Sequence, residues 1–331
     1  MTTIAARPGK RPEDSLPAAH EQEDVAVCDL CGGRNLVRFA TQIGRTTGLT
    51  FPFVRCASCG LKFVGRRLTA DANLALYDES YFRGAGFDAA VNYVMLEEKR
   101  GLRRGENEGI LGKIRVLKGS SRTLRILDVG CGTGSLLRAL GDAGYTNLSG
   151  VELSPFAADF ARKAVRAKVE TGDLSNVTLD EAPFDVINAT EVIEHLREPS
   201  KFFSRVRELL APGGFFIYST GNASGAYARL LGARWPYFHP EGHLVYFNPE
   251  TLARYFHRAG LEVFVPSREQ RTELLRCDDA ITHSQLLYMG ASEPGTKGTI
   301  FRMGAWVTER VALRAATLFQ GKCFLPLATR T

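Results

Sequence analysis

Residues 126–137 read ILDVGCGTGSLL. An apolar run closes on Asp128 and Val129, and glycines stand at 130, 132 and 134. The pattern predicts a buried strand, a tight turn and the first turn of a helix. In open α/β sheets, ligands bind beyond the carboxyl ends of the strands. A helix N-terminus there offers unsatisfied N–H groups. A backbone this bare could admit a nucleotide, a phosphate, or simply a close protein neighbour. A Walker phosphate loop requires G-x-x-x-x-G-K-[ST], and the lysine is missing. The dinucleotide fingerprint G-x-G-x-x-G also fails, because its sixth position, counted from Gly130, is Ser135. What remains is an acid, one residue, then G-x-G-x-G.

Outward from this stretch, strand and helix patterns alternate. SLLRALGDAG reads as a helix stopped at Gly144, NLSGVELS as a strand, and PFAADFARKAVRA as a helix with Pro155 in its first turn. AKVETGD and FDVINAT read as strands, PSKFFSRVRELLAPGG as a helix and FFIYST as a strand. Such alternation implies an α/β fold, a parallel sheet covered by helices on both faces. The insertion 221–247 is aromatic and rich in His, Gly and Pro, and is expected to be lid-like. Its Trp235, Tyr237, Phe238, Tyr246 and Phe247 are candidates for a pocket wall or for core. NPETLARYFHRAG is a helix capped by Asn248 with Pro249 first. LEVFVPS reads as a strand, 268–319 as a largely helical insertion, and KCFLPLA as the last strand.

The N-terminal half carries a second motif. CDLC at 28–31 and CASC at 56–59 are separated by 24 residues, and each is followed by glycine. Two such knuckles can close a tetrahedral Zn²⁺ site from four thiolates. Glycine tolerates the left-handed turn after the second cysteine. Cys28, Cys31, Cys56 and Cys59 are therefore expected to hold structural Zn²⁺, because a catalytic zinc keeps an open position. The expected organisation is a disordered lead-in over 1–24, a zinc ribbon over 25–68, a helical cap over 69–120 broken at its glycines, and a core over 121–331.

The chain has 331 residues, 44% of them hydrophobic, a net charge of +6 and seven cysteines. No apolar run approaches the roughly 20 residues of a membrane span. The polar start lacks the apolar core of a signal peptide. A cytoplasmic protein with reduced cysteines and no membrane partner is expected. Dispersed charges argue against the basic stripe of a nucleic-acid binder.

ILDVGCGTG resembles the first motif of class I S-adenosylmethionine (SAM) methyltransferases, and the resemblance runs over about 120–265. It implies a Rossmann-like fold with a mostly parallel seven-stranded sheet whose last strand is antiparallel. It also implies a SAM site. The backbone of Gly130, Cys131, Gly132 and Gly134 would line the cofactor, with Asp128 near its methionine end. Glu152 in GVELS would hold the ribose hydroxyls, since a carboxylate can accept from both. Asp173 in TGDLSN would read the adenine amino group, Leu153 and Leu174 would flank the ring, and Thr190 would follow the fourth strand. With the ribbon, ESYF and HPEGHLVYF, the chain resembles a bacterial subgroup of natural-product and deoxysugar C-methyltransferases. That implies a small-molecule acceptor. His195, His243, Tyr81 and Glu241 are then the candidates for proton transfer and acceptor contact. Two alternatives stay open: an RNA-modifying methyltransferase, though no N-P-P-Y element follows the fourth strand, and a SAM-binding protein without transfer.

Overall fold

The computed structural model describes residues 21–86, 91–98, 103–235, 237–278 and 328–330. The N-terminal part opens with β1 (Gln22–Asp24), β2 (Leu36–Ile43), β3 (Thr50–Cys56), β4 (Lys62–Val64) and β5 (Arg66–Leu68). Short helices follow: α1 (Ala70–Leu74), α2 (Glu79–Phe82) and α3 (Tyr93–Glu98), then the long α4 (Arg104–Lys118). The alternating part is β6 (Arg125–Val129), α5 (Ser135–Asp142), β7 (Asn147–Glu152), α6 (Pro155–Ala164), β8 (Lys168–Thr171), β9 (Phe184–Thr190), α7 (Pro199–Leu209) and β10 (Leu210–Ser219). It is followed by α8 (Ala226–Leu231), β11 (Val245–Tyr246), α9 (Pro249–Ala259), β12 (Glu262–Val263) and β13 (Ala328–Thr329).

The main sheet has the order β12-β13-β10-β9-β6-β7-β8. Strands β8, β7, β6, β9 and β10 run parallel, and β13 is antiparallel to both β10 and β12. Ile126, Leu127 and Val129 of β6 are buried because helices cover both faces. α5 and α4 close one face around Leu137, Leu140, Ile110 and Ile114. α7 and α9 close the other around Phe202, Phe203, Phe216 and Phe256. Burying one such phenylalanine contributes about 1.5–3 kcal/mol. The sharp start of α9 comes from a capping box, in which Asn248 and Thr251 each accept the other's backbone N–H.

Several expectations need correction. Residues 22–24 of the presumed lead-in form β1, which pairs with β5. Helix α4 runs unbroken through Gly105, Gly109 and Gly112. At Gly112 a Cβ would stand 2.6 Å from Cys277 Sγ, so the glycine provides room for the 268–278 helix rather than a break. The strand in LEVFVPS shrinks to Glu262–Val263, and of the last strand only Ala328–Thr329 is described, overlapping the end of KCFLPLA. Most of that stretch, and 279–319 of the helical insertion, lie outside the described residues. The 221–247 insertion is tied to the ribbon: β11 adds to β4 to make a sheet of order β11-β4-β3-β2. Trp235, Phe238 and Tyr246 pack there against Phe51 and Phe53 as core, and Phe247 is buried in the main core. No helix among the described residues is long and apolar enough to cross a membrane.

Candidate functional site

The three glycines of the first motif all have positive φ, +66° at Gly130, +53° at Gly132 and +87° at Gly134. Each would be strained with a side chain. Their surroundings differ. A Cβ on Gly130 would stand 2.6 Å from Val192 Cγ2, and one on Gly134 would press on Val165 and Ala161 of the neighbouring helix and its end. A Cβ on Gly132 would meet nothing within 4 Å. The outer two glycines thus admit protein, and the middle one leaves the loop open to a ligand. The Cys131 side chain turns inward against Gly150 and is buried, so only its backbone belongs to the loop.

Glu152, at the carboxyl end of β7, reaches this loop. Its Oε2 accepts the Gly132 N–H at 2.8 Å and its Oε1 accepts the Ser154 N–H at 2.8 Å. A carboxylate has about four lone-pair sites. These donors leave lone-pair capacity for a further hydroxyl donor. Burial raises the Glu152 carboxyl, and the backbone N–H groups of Ser154, Gly132 and Leu153 oppose that rise. Asp128, at the end of β6, is buried and accepts from Asn188 Nδ2 at 2.8 Å. Desolvation pushes its carboxyl up to about 7. Thr190 Oγ1 donates to Asn188 Oδ1 at 3.2 Å, so its hydroxyl braces that amide. Asp173 is exposed beyond β8, its Oδ1 accepting the Ser175 N–H. The two flanking leucines part company. Leu153 is 41% exposed and available to a ring, whereas Leu174 is 2% exposed and packed in the core.

The segment after β9 lies directly against the loop through Val192. Its first residue, Glu191, is the one non-glycine with positive φ among the described residues, at +54°. Its N–H donates to the Ser219 carbonyl at 3.1 Å, and its Oε1 accepts from Ser219 Oγ at 2.8 Å. A 3₁₀ turn, Ile193–His195, then delivers Glu194 and His195. The His195 ring lies 4.9 Å from that of His243, which the insertion supplies. Each ring is oriented by a backbone carbonyl, His195 Nδ1 by Gly242 at 2.9 Å and His243 Nδ1 by Tyr237 at 2.8 Å. Tyr237 Oη donates to Glu194 Oε1 at 2.6 Å. Burial holds the His195 imidazole down at about 4, and with the nearby Glu191 charge lifts the Glu194 carboxyl to about 8. His195 is therefore neutral at physiological pH.

A polar chain joins this cluster to the loop. Tyr77 Oη lies 3.0 Å from His195 Nδ1, the Tyr77 carbonyl accepts from Ser154 Oγ at 2.7 Å, and Ser154 N–H donates to Glu152. Tyr77 therefore stands where Tyr81 was expected. Tyr81 is buried among aromatic rings with its hydroxyl 3.5 Å from that of Tyr93. Asn188, Glu194 and Tyr77 were missed in the sequence, and Tyr237 was read only as pocket wall or core. Only Glu194 had a local signal, the repeated acid in EVIEH.

Glu241 is not placed for chemistry. It is fully buried, and its carboxylate accepts N–H donors from Arg45, Thr46 and Thr47, at 2.8, 3.1 and 2.7 Å. It clamps the β2–β3 turn of the ribbon onto the insertion. Hydrogen bonds to a charged group are worth about 1.5–3 kcal/mol each. Glu241→Ala is thus expected to cost at least about 3 kcal/mol in denaturant unfolding. An unchanged midpoint would contradict the clamp.

The four knuckle cysteines converge. Cys28 and Cys59 Sγ are 3.5 Å apart, as are Cys31 and Cys56 Sγ, and all four sulfurs lie within 4.8 Å of one another. Gly32 and Gly60 turn the two knuckles at φ +72° and +79°. Zn–S bonds of about 2.3 Å place tetrahedral sulfurs roughly 3.8 Å apart, so the donor set fits that ion. Burial raises the Cys59 thiol to about 11. At Cys56 it is outweighed by the N–H groups of Cys59 and Ser58, which bring that thiol down to about 7.

Residues 97–264, just over half of the chain, match the family model described as a methyltransferase domain. The ubiquinone biosynthesis O-methyltransferase of Aromatoleum aromaticum is 30% identical over 168 residues, 47% of this chain and 67% of that protein. Its counterpart from Thiobacillus denitrificans is 31% identical over 150 residues, 42% of this chain and 64% of that one. This chain thus spans about two thirds of the length of these curated relatives. Among solved structures, an S-adenosylmethionine-dependent methyltransferase from Mesorhizobium loti aligns with 70% of this chain and all of its own, at 19% identity and a TM-score of 0.45. With the family match running from α3 to the strand after α9, and so across the whole glycine loop and its acids, the chain belongs to the SAM-dependent methyltransferase family.

Proposed function

We propose that this protein transfers the SAM methyl group to a small-molecule acceptor, a natural-product or sugar intermediate, and that Zn²⁺ in the Cys28, Cys31, Cys56, Cys59 cage braces the acceptor side of the site. The observation that carries the reading is the continuity of the polar chain from Glu152 through Ser154 and Tyr77 to His195. It links a diol-binding carboxylate to a cluster able to handle an acceptor proton. SAM supplies an electrophilic methyl on a sulfonium. Gly132, Glu152 and Asp173 would hold its adenosine end, and Asp128 would face the methionine end. In-line displacement gains most from positioning, and the buried histidine cluster would orient the acceptor and exclude water. The names of the relatives favour oxygen as the accepting atom. The zinc cage would supply no chemistry, since four thiolates fill a tetrahedral ion.

Calorimetry tests the cofactor half. Glu152→Ala is expected to weaken SAM binding by roughly 1.5–3 kcal/mol, the loss of charge-assisted bonds to the ribose. Glu152→Gln, which keeps the shape but not the charge, should fall between that variant and the wild type. Unchanged affinity in both variants, or preferential binding of a nicotinamide dinucleotide, would overturn the assignment. The acceptor can be sought by mass spectrometry of metabolites that co-purify with the protein.

A further inference from the structure

The net charge of +6 is not spread evenly along the chain. Residues 25–68 hold seven Lys or Arg side chains and one acid, Asp29, a surplus equal to that of the entire protein. Asp29 is spent inside the fold, accepting from the Ser200 N–H, Ser200 Oγ and Tyr255 Oη. Arg66 and Arg67 pair with Asp24 and Glu23. Arg45 has the buried Glu241 carboxylate against its own N–H. The remaining four cations, Arg34, Arg38, Arg55 and Lys62, enter none of the ion pairs among the described residues. A zinc-loaded cage would bring two negative charges. Arg254 and Arg258 of α9 already reach its knuckles, donating to the carbonyls of Cys59 and Leu30.

The edge of the same sheet adds an independent observation. Strand β2 pairs with β3 on one side, and no strand among the described residues lies on the other. An edge strand presents unpaired N–H and C=O groups, a template for a further strand. Val37, Arg55 and Lys62 stand directly across from one another on β2, β3 and β4, so they share one face. Burial and the adjacent Arg55 charge hold the Lys62 ammonium below its ordinary value. Along β2 itself Val37, Phe39 and Ile43 are 45%, 39% and 69% exposed. Apolar side chains among cations on an open edge complement a strand of alternating apolar and acidic residues.

We propose that β2 docks an extended acidic segment of a partner protein, which adds to the ribbon sheet as a further strand. The segments of this chain outside the described residues do not have the charge for it. Residues 1–20 hold three basic and two acidic side chains, and 279–327 hold five basic and three acidic. The acids must come from another molecule. A second copy of this chain would set one cationic edge against another. Single-stranded nucleic acid gains from stacking bases on aromatic rings, and the Phe39 ring is already engaged. Lys62 Nζ lies 5.5 Å over it, and the Phe53 and Phe238 rings tilt against it at 6.2 and 5.9 Å. Because β11 joins the same sheet, a partner on β2 would be coupled to the insertion that carries His243.

The test uses the full chain and a fluorescein-labelled peptide of alternating glutamate and valine, eight residues long to match β2, followed by anisotropy. The expected result is saturable binding that fades as salt rises toward about 1 M, where the screening length falls to about 3 Å. Arg38→Glu combined with Arg55→Glu should weaken binding at least about tenfold, because each reversal turns an attraction into a repulsion. The same peptide N-methylated at every amide keeps its charge but cannot donate to the ladder, and should not bind. That arm is measured on the wild type, so it holds whatever the stability of the double variant. No saturable binding up to about 1 mM overturns the proposal, as does equal binding of the N-methylated peptide. A uridine oligonucleotide or a phosphatidylglycerol vesicle that binds more tightly than the peptide would assign the surface to another polyanion, and the added strand would be wrong. None of these readouts involves methyl transfer, so the reading above stands or falls separately.

Discussion

Replacing His195 with alanine is expected to lower methyl transfer by about 10²–10⁴-fold, the usual scale for losing a group that manages a proton in the transition state. SAM binding should stay within a few-fold of wild type. The split follows from geometry. His195 touches Tyr77, Gly242 and the His243 ring, whereas the loop that would hold the cofactor is built from β6, β7 and Glu152. His243→Ala should behave alike, because the two rings form one cluster and losses within a cluster do not add. The measurement is release of S-adenosylhomocysteine with a hydroxylated acceptor that the wild type turns over. If both variants keep turnover within a few-fold, the histidine cluster has no part in the reaction, and transfer rests on positioning alone.

The second large effect concerns the thiolate cage. Cys28→Ser combined with Cys56→Ser removes one ligand from each knuckle. The wild type is expected to carry about one zinc per chain by elemental analysis, and the double variant none. Apparent zinc-binding free energies in small modules are about 10–16 kcal/mol, comparable to the whole stability of a domain. The ribbon should therefore unfold, seen as new protease cuts in residues 25–68. The damage should spread. Strand β11 pairs with β4 at Val245–Phe63 and Tyr246–Lys62, and Glu241 clamps the β2–β3 turn. His243 lies between those two anchors, so turnover should fall even though no cysteine approaches the acceptor. Full zinc content in the double variant would refute the cage. Intact turnover in a zinc-free variant would refute the coupling.

Much of this protein was legible in the linear sequence, where the signal is local. The strand before Gly130, the turn itself and the helix after it follow from an apolar run and glycine spacing. Glu152 and Asp173 are reached through the resemblance of GVELS and TGDLSN to methyltransferase motifs. The cysteine knuckles are readable because two thiols and a glycine within five residues fix their own turn. Capping at Asn248 and Pro249 is likewise a property of adjacent residues.

Other features depend on which distant segments meet. Glu241 and His243 are two residues apart, yet one is spent on the ribbon turn and the other faces His195. Tyr77 rather than Tyr81 reaches the histidine because α2 turns Tyr81 into the rings of Phe82 and Tyr93. Gly112 looked like a helix break and is a contact with Cys277. The strand–helix alternation, the glycine loop and the cysteine knuckles can be read along the chain, because dihedral preference and periodicity act within a few residues. The histidine–carboxylate cluster and the union of ribbon and insertion arise from folding alone. Those rest on contacts between residues more than forty positions apart, and local propensity carries no record of such contacts.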